Sequence, residues 1–181
     1  MRYAAFFRGL NVGGKNSVKM SELRQLLAGL DFQNVKTYIQ SGNAVFSSDM
    51  EQRLLAPTIE QAFEERFGFH STVAIRSDAE IAHIDDSLPF GAAEIEQAQN
   101  EDPGVEHIYV YLSESSLDTE SIAALCASYD GKDRLHIMDR EVYLLCFQSI
   151  RDSKLAALLT KLPQQLTARN LKTMKKISLM F

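Results

Sequence analysis

Three patterns predict an α+β fold for this chain of 181 residues. Short apolar segments rich in β-branched and aromatic residues read as strands. Segments with leucine at i, i+3, i+4 and i+7 read as amphipathic helices. The two kinds alternate as β-α-β-β-α-β over residues 3–77, and β-α-β-β-α recurs about 100 residues later. That order is the split βαβ, ferredoxin-like pattern. The expected architecture is therefore two ferredoxin-like repeats with an extra C-terminal helix.

The elements follow in order. YAAFFRG (3–9) reads as a strand. SELRQLLAGL places Leu23, Leu26, Leu27 and Leu30 on one helical face, with Ser21 as candidate N-cap. VKTYIQ (35–40) and NAVFSS (43–48) form a hairpin through a tight Ser41-Gly42 turn. A helix over 51–67 and a strand over 71–77 complete the first half, 1–77. A short acidic helix near 78–86 follows. Residues 87–104 hold Pro89, Gly91, Pro103, Gly104 and many acids, and read as a linker or long loop. Helix and linker together make 78–106. In the second half, 107–181, HIYVYLS is a strand and LDTESIAALCASY a helix. RLHIMD and VYLLCF form a hairpin turning at Asp139-Arg140-Glu141, and SKLAALLTKL is a helix. TARNLKTMKKISLMF carries Leu171, Met174 and Ile177 on one side, which favours helix.

Apolar content of 45% and charged content of 24% are ordinary for a globular protein. The net charge of −5 argues against a surface that tracks nucleic acid throughout. No run of 18 apolar residues suggests a membrane span, and the N-terminal apolar run is too short for a signal peptide. Cys126 and Cys146 lie far apart in apolar stretches and read as free thiols of a cytoplasmic protein. His70, His83, His107 and His136 show no metal-ligand spacing, so no metal site is expected.

Charge is uneven along the chain. Residues 1–19 carry Arg2, Arg8, Lys15 and Lys19 and no acid. After Asp152 only basic charges follow, whereas 78–102 carries acids and no Lys or Arg. Within the basic N-terminus, GLNVGGKN (9–16) fits G-x-x-x-x-G-K, with Asn16 where a P-loop has Ser or Thr. A true P-loop is excluded on three counts. The magnesium-holding hydroxyl is missing, the helix starts about four residues late for its dipole to face a phosphate, and no parallel strand supplies the partner Asp. Two readings stay open for the loop. Its glycines only supply positive φ, or amides near Gly13 and Gly14 form an anion nest beside Arg8 and Lys15. In a ferredoxin-like sheet of order 4-1-3-2, this loop, the turn at Ser41, Gly42 and Asn43 and the loop at Gly68-Phe69-His70 share one edge. That convergence is how binding loops on rigid scaffolds are placed.

FRGLNVGGKNSVKM, L-x-x-L-L, VKTYIQSGNAVF, LPF and TARNLKT together resemble the blocks of domain-of-unknown-function family 1697. The resemblance runs from Tyr3 to about Thr173. Departures are Phe7 and Leu10, where the family tends to have Leu and Ile, Asp31 where Gly is usual, and Leu88 where Asn is usual. The family implies a duplicated ferredoxin-like architecture and brings no established reaction. Its third block, Thr167–Thr173, draws in Arg169 and Asn170. Thr167 or Asn170 caps the last helix and Arg169 pairs with an acid, or Arg169 joins Arg8 and Lys15 around an anionic group while the Asn side chains orient it.

No G-x-S-x-G, H-E-x-x-H or C-x-x-C motif occurs, and no acid falls within the candidate loops. Catalytic residues and cofactor are thus unassigned, and oligomeric state is not legible. The expected function is binding of a small phosphate- or carboxylate-bearing ligand through Arg8, Asn11, Gly13, Gly14, Lys15, Ser41, Gly42, Asn43, Arg169 and Asn170, with or without a reaction. The alternatives are a nucleic-acid-binding module, which would need aromatics on strands 1 and 3, or a ligand-free interaction scaffold.

Overall fold

A computed structural model describes residues 1–14 and 16–181 of the chain. The chain divides into two compact units, Met1–Asp86 with Thr173–Phe181, and Ser87–Lys172. Each contains a four-stranded, wholly antiparallel sheet with helices, in ferredoxin-like order.

The first sheet is built from β1 (Arg2–Phe7), β2 (Gln33–Tyr38), β3 (Asn43–Ser47) and β4 (Val73–Ser77) in the order β2-β3-β1-β4. Strand alternation sends Tyr3, Ala5 and Phe7 of β1 to one face. There they meet Ala44, Phe46, Val73 and Ile75 and the apolar stripes of α1 (Met20–Gly29) and α2 (Gln52–Phe67). Leu23 and Leu27 of α1 and Leu55, Ile59 and Phe63 of α2 are fully buried in this core. Aromatic packing adds direction. Phe32 stacks on Phe46 at 4.5 Å, and Phe63 contacts Phe7, Phe67 and Phe69.

The other face of the same sheet is equally dry. Ala4, Phe6, Val45, Ala74 and Arg76 are all buried. A sheet buried on both faces loses the clean apolar-polar alternation and reads as a continuous run, as YAAFF does. Helix α3 (Asp78–Asp86) leaves β4 with no loop. Ser77 and Glu80 form a reciprocal cap, with Ser77 N donating to Glu80 Oε2 at 2.7 Å and Glu80 N donating to Ser77 Oγ at 3.3 Å.

The second sheet has the order β6-β7-β5-β8, from β5 (Ile108–Leu112), β6 (Arg134–Met138), β7 (Glu141–Leu145) and β8 (Thr167–Asn170). Tyr111, Val142, Leu144 and Cys146 pack with Ile122 of α5 (Thr119–Cys126) and Leu155 and Leu159 of α6 (Lys154–Leu159). Both cysteines are free. Burial, with the Asp133 carboxylate nearby, pushes the Cys146 thiol up to about 12, so it stays protonated and inert.

Four expectations need correction. Ser21 is not the N-cap of α1. Lys19 occupies that position, and its amide donates to the Glu22 carboxylate at 3.4 Å. The stretch 87–104 is not a loop throughout, because α4 spans Ala92–Glu101. AAEIEQAQNE is made of helix formers between Gly91 and Pro103, but only Ala98 is buried, so no apolar stripe announces it. TARN is strand β8, not helix. It runs straight into α7 (Leu171–Ser178), and four residues are too few to display a period. The expected second half, 107–181, also differs from the observed division, in which Thr173–Phe181 belongs to the first unit. Within that unit Lys175 Nζ is 3.6 Å from Asp85 Oδ1, Lys36 Nζ donates to Met180 O at 3.1 Å, and the Arg2 guanidinium stands 5.6 Å over the Phe181 ring.

In the second unit one buried carboxylate joins three elements. Asp133, just ahead of β6, accepts from Phe147 N at 2.9 Å and from Ser153 Oγ at 2.6 Å, and Gln148 Nε2 adds a third donor. Ser153 in turn caps α6 by accepting from Ala156 N at 3.0 Å. Asp133→Ala leaves a buried amide and a buried hydroxyl without acceptors. We expect it to lower the unfolding free energy by about 2–4 kcal/mol, read by urea denaturation. A loss below about 1 kcal/mol would remove the hub from the stability argument.

Candidate functional site

The loop that leaves β1 is anchored at its first residue. Arg8 N donates to Thr72 O at 2.9 Å, and Ser71 Oγ donates to Arg8 O at 2.9 Å. One residue earlier, Phe7 N donates to Gly42 O at 2.8 Å. The loops after β1, between β2 and β3, and before β4 therefore meet on one edge of the first sheet, as the strand order requires. Leu10 is buried against Gly42. A Cβ on Gly42 would lie 2.8 Å from Leu10 Cδ1 and 2.9 Å from Phe7 Cβ, and the Gly42 φ is +77°. No side chain fits there.

Asn11 closes the loop on itself. Its Nδ2 donates to Val18 O at 3.0 Å and Gln40 O at 2.7 Å, while its Oδ1 accepts from Val18 N at 2.9 Å. Its backbone N donates to Asn16 O at 3.1 Å. Asn43 does the same for the hairpin: it is buried, and its Nδ2 donates to Tyr38 O and Ser41 Oγ, both at 3.0 Å. The side chains of Asn11 and Asn43 are thus engaged in holding the loops, which leaves them little to offer a ligand.

What faces solvent is the middle of the loop. Gly9, Asn11, Gly13, Gly14 and Asn16 all have left-handed φ between 53° and 74°. A Cβ at Gly13 or Gly14 would meet nothing within 4 Å. Among the described residues neither of their N–H groups meets an acceptor. The Arg8 guanidinium is half-buried and, among the described residues, has no carboxylate partner. Lys15 lies outside the described residues. Helix α1 starts at Met20, too far along for a P-loop. Beside this edge His70 Nδ1 is 3.4 Å from Glu64 Oε2.

The matching edge of the second unit is stitched shut. The loop after β5 has no glycine. Ser113 N donates to Arg140 O at 2.9 Å, and Arg140 Nη1 donates to Glu114 O at 3.3 Å. Gln164 Nε2 donates to Ser113 Oγ, Ser115 Oγ and Ser116 O within 2.7–3.1 Å. Polar groups there satisfy one another.

Arg169 and Asn170 belong to the second unit, on β8. Arg169 is 9% exposed, and burial pulls its guanidinium down to about 10. Its Nη1 donates to Ala168 O at 2.8 Å. Arg76 of β4, which the sequence reading passed over, is its counterpart. It is fully buried, and its Nη1 donates to Ile75 O at 2.7 Å. Arg76 pairs in register with Ala4 of β1, and Arg169 with Val110 of β5. The signal was an arginine one residue before the end of each fourth strand, in VAIRS and TARN.

Residues 1–143 match the model of the family described as Protein of unknown function (DUF1697). The chain belongs to this family. The DUF1697 match takes in the Arg8–Lys15 and Thr37–Asn43 blocks. Structural likeness continues beyond it: the conserved bacterial protein SP0830 from Streptococcus pneumoniae covers 99% of this chain and 97% of its own, at 30% identity and TM-score 0.77. No curated protein matches the chain. No helix among the described residues is long and apolar enough to cross a membrane.

The close approach at Gly42 separates two kinds of glycine. Gly42→Ala adds a steric clash to the roughly 1–2 kcal/mol of left-handed strain, whereas Gly13→Ala adds the strain alone. Thermal denaturation is expected to rank Gly42→Ala clearly below Gly13→Ala. Equal loss in both would refute the packing role given to Gly42.

Proposed function

We propose that the first unit binds a small phosphate- or carboxylate-bearing molecule at the loop edge of its sheet. The Gly13 and Gly14 amides and the Arg8 guanidinium would hold the anionic group, and Lys15, next in sequence, adds charge. One observation carries this reading. Of two equivalent edges, the second unit's is closed by Gln164 and Arg140, while the first unit's keeps donors and a cation open. Neighbouring N–H groups in a turn can form an anion-binding nest, and Gly13 and Gly14 are neighbours in such a turn. Free thiols at Cys126 and Cys146 fit a cytoplasmic address for such a binder.

The nucleic-acid reading draws no support from the first sheet. Tyr3, Phe6, Phe7 and Phe46 are all buried, so no base can stack on them.

Calorimetry with inorganic phosphate tests the proposal. A charge-assisted contact contributes about 1.5–3 kcal/mol, so Arg8→Ala should weaken binding about 10-fold or more. Lys15→Ala should weaken it and flatten its salt dependence. Unchanged affinity in Arg8→Ala, or no binding by the wild-type protein, would overturn the assignment.

A further inference from the structure

Two apolar side chains at this edge have no part in holding an anion. Val12 is 66% exposed and Ile39 is 48% exposed. The bond from Asn11 Nδ2 to Gln40 O, 2.7 Å long, sets the two loops side by side. Val12 follows Asn11 and Ile39 precedes Gln40, so the two side chains stand on adjoining loops.

Ile39 is also in the wrong conformation for its type. Its φ is +47°, and a β-branched residue in the left-handed region is strained. Glycine or asparagine would suit the position better, as they do at Gly42 and Asn11. Nor does burial compensate for the strain, since the side chain is half in solvent. A strained, exposed apolar residue beside open donors points to something that covers it when bound.

We infer that the ligand carries an aromatic or alkyl group next to its anionic group, and that this group lies across Val12 and Ile39. The ligand is then an organic phosphate or carboxylate, with the head on Arg8 and the Gly13-Gly14 amides and the apolar part on the lip. The inference rests on the anion site proposed above.

Phenyl phosphate and inorganic phosphate are the probes, with the wild-type protein, Ile39→Asn and Val12→Ser. Phenyl phosphate should bind the wild type about 10-fold more tightly, as expected for covering a modest apolar area. Ile39→Asn and Val12→Ser should each reduce that margin and leave inorganic phosphate affinity unchanged. Ile39→Asn should also raise the melting temperature, because asparagine tolerates the left-handed region; a fall would show that Ile39 is there for packing. Equal affinity for the two probes, or a margin that survives both substitutions, overturns the apolar lip and leaves the anion site standing. Failure of the wild type to bind either probe overturns both.

Discussion

The missing side chain of Gly42 is the constraint on which the loop edge depends. Because nothing projects from it, Leu10 packs against the hairpin turn at a distance no Cβ would allow. Burying Leu10 draws the chain across the end of the sheet as soon as it leaves β1. Asn11, the next residue, is then in reach of Gln40 O and of both backbone groups of Val18. One apolar contact and one amide thus define where the loop starts and ends. Between those ends Val12, Gly13, Gly14, Asn16 and Ser17 are exposed, and a Cβ at Gly13 or Gly14 would meet nothing within 4 Å.

Duplication lets the two edges be compared. Both units use the same strand order and the same pairing of the central strand with its neighbours. Each places an arginine at the same register of its fourth strand, donating to the carbonyl of the residue before it. Burying a guanidinium is costly and is tolerated only where hydrogen bonds surround it, so finding it twice marks a feature of the repeat. The loops have diverged where the strands have not. Ser113, Ser115, Ser116 and Gln164 form an internal network in the second unit, and the glycine-asparagine loop of the first has none of that closure around Gly13 and Gly14.

The sheet order, the hairpins and the meeting of three loops on one edge were legible from the sequence. Strand alternation and turn residues are local, and the ferredoxin-like order fixes which loops are neighbours. The roles of Asn11 and Asn43 were not. An asparagine that orients a ligand and one that ties down its own backbone have the same neighbours in sequence, and only the observed distances separate them. Helix α4 was hidden by its polarity and β8 by its brevity. Asp31 stands where the family tends to have glycine. It is indeed left-handed, with φ of +60° just after α1, and Asp tolerates that conformation better than most residues. Ile39 gave no such warning, because VKTYIQ reads as a strand to its end while the chain has already turned.

The charge on the loop sets a limit on how the proposed site works. Arg8 and Lys15 are cations of one short segment, and no acid lies within residues 1–19. At the surface, like charges several ångströms apart repel by only about 1 kcal/mol, and salt reduces this further. The core of Tyr3, Phe7, Phe46, Ile59 and Phe63 does not depend on neutralising them. Neutralising these cations is thus not a condition of folding, and the Gly13 and Gly14 N–H groups have no acceptor among the described residues. Donors fixed in advance need little reorganisation on binding. On the proposed reading, affinity comes from this readiness, and binding stays reversible because the fold does not rely on it.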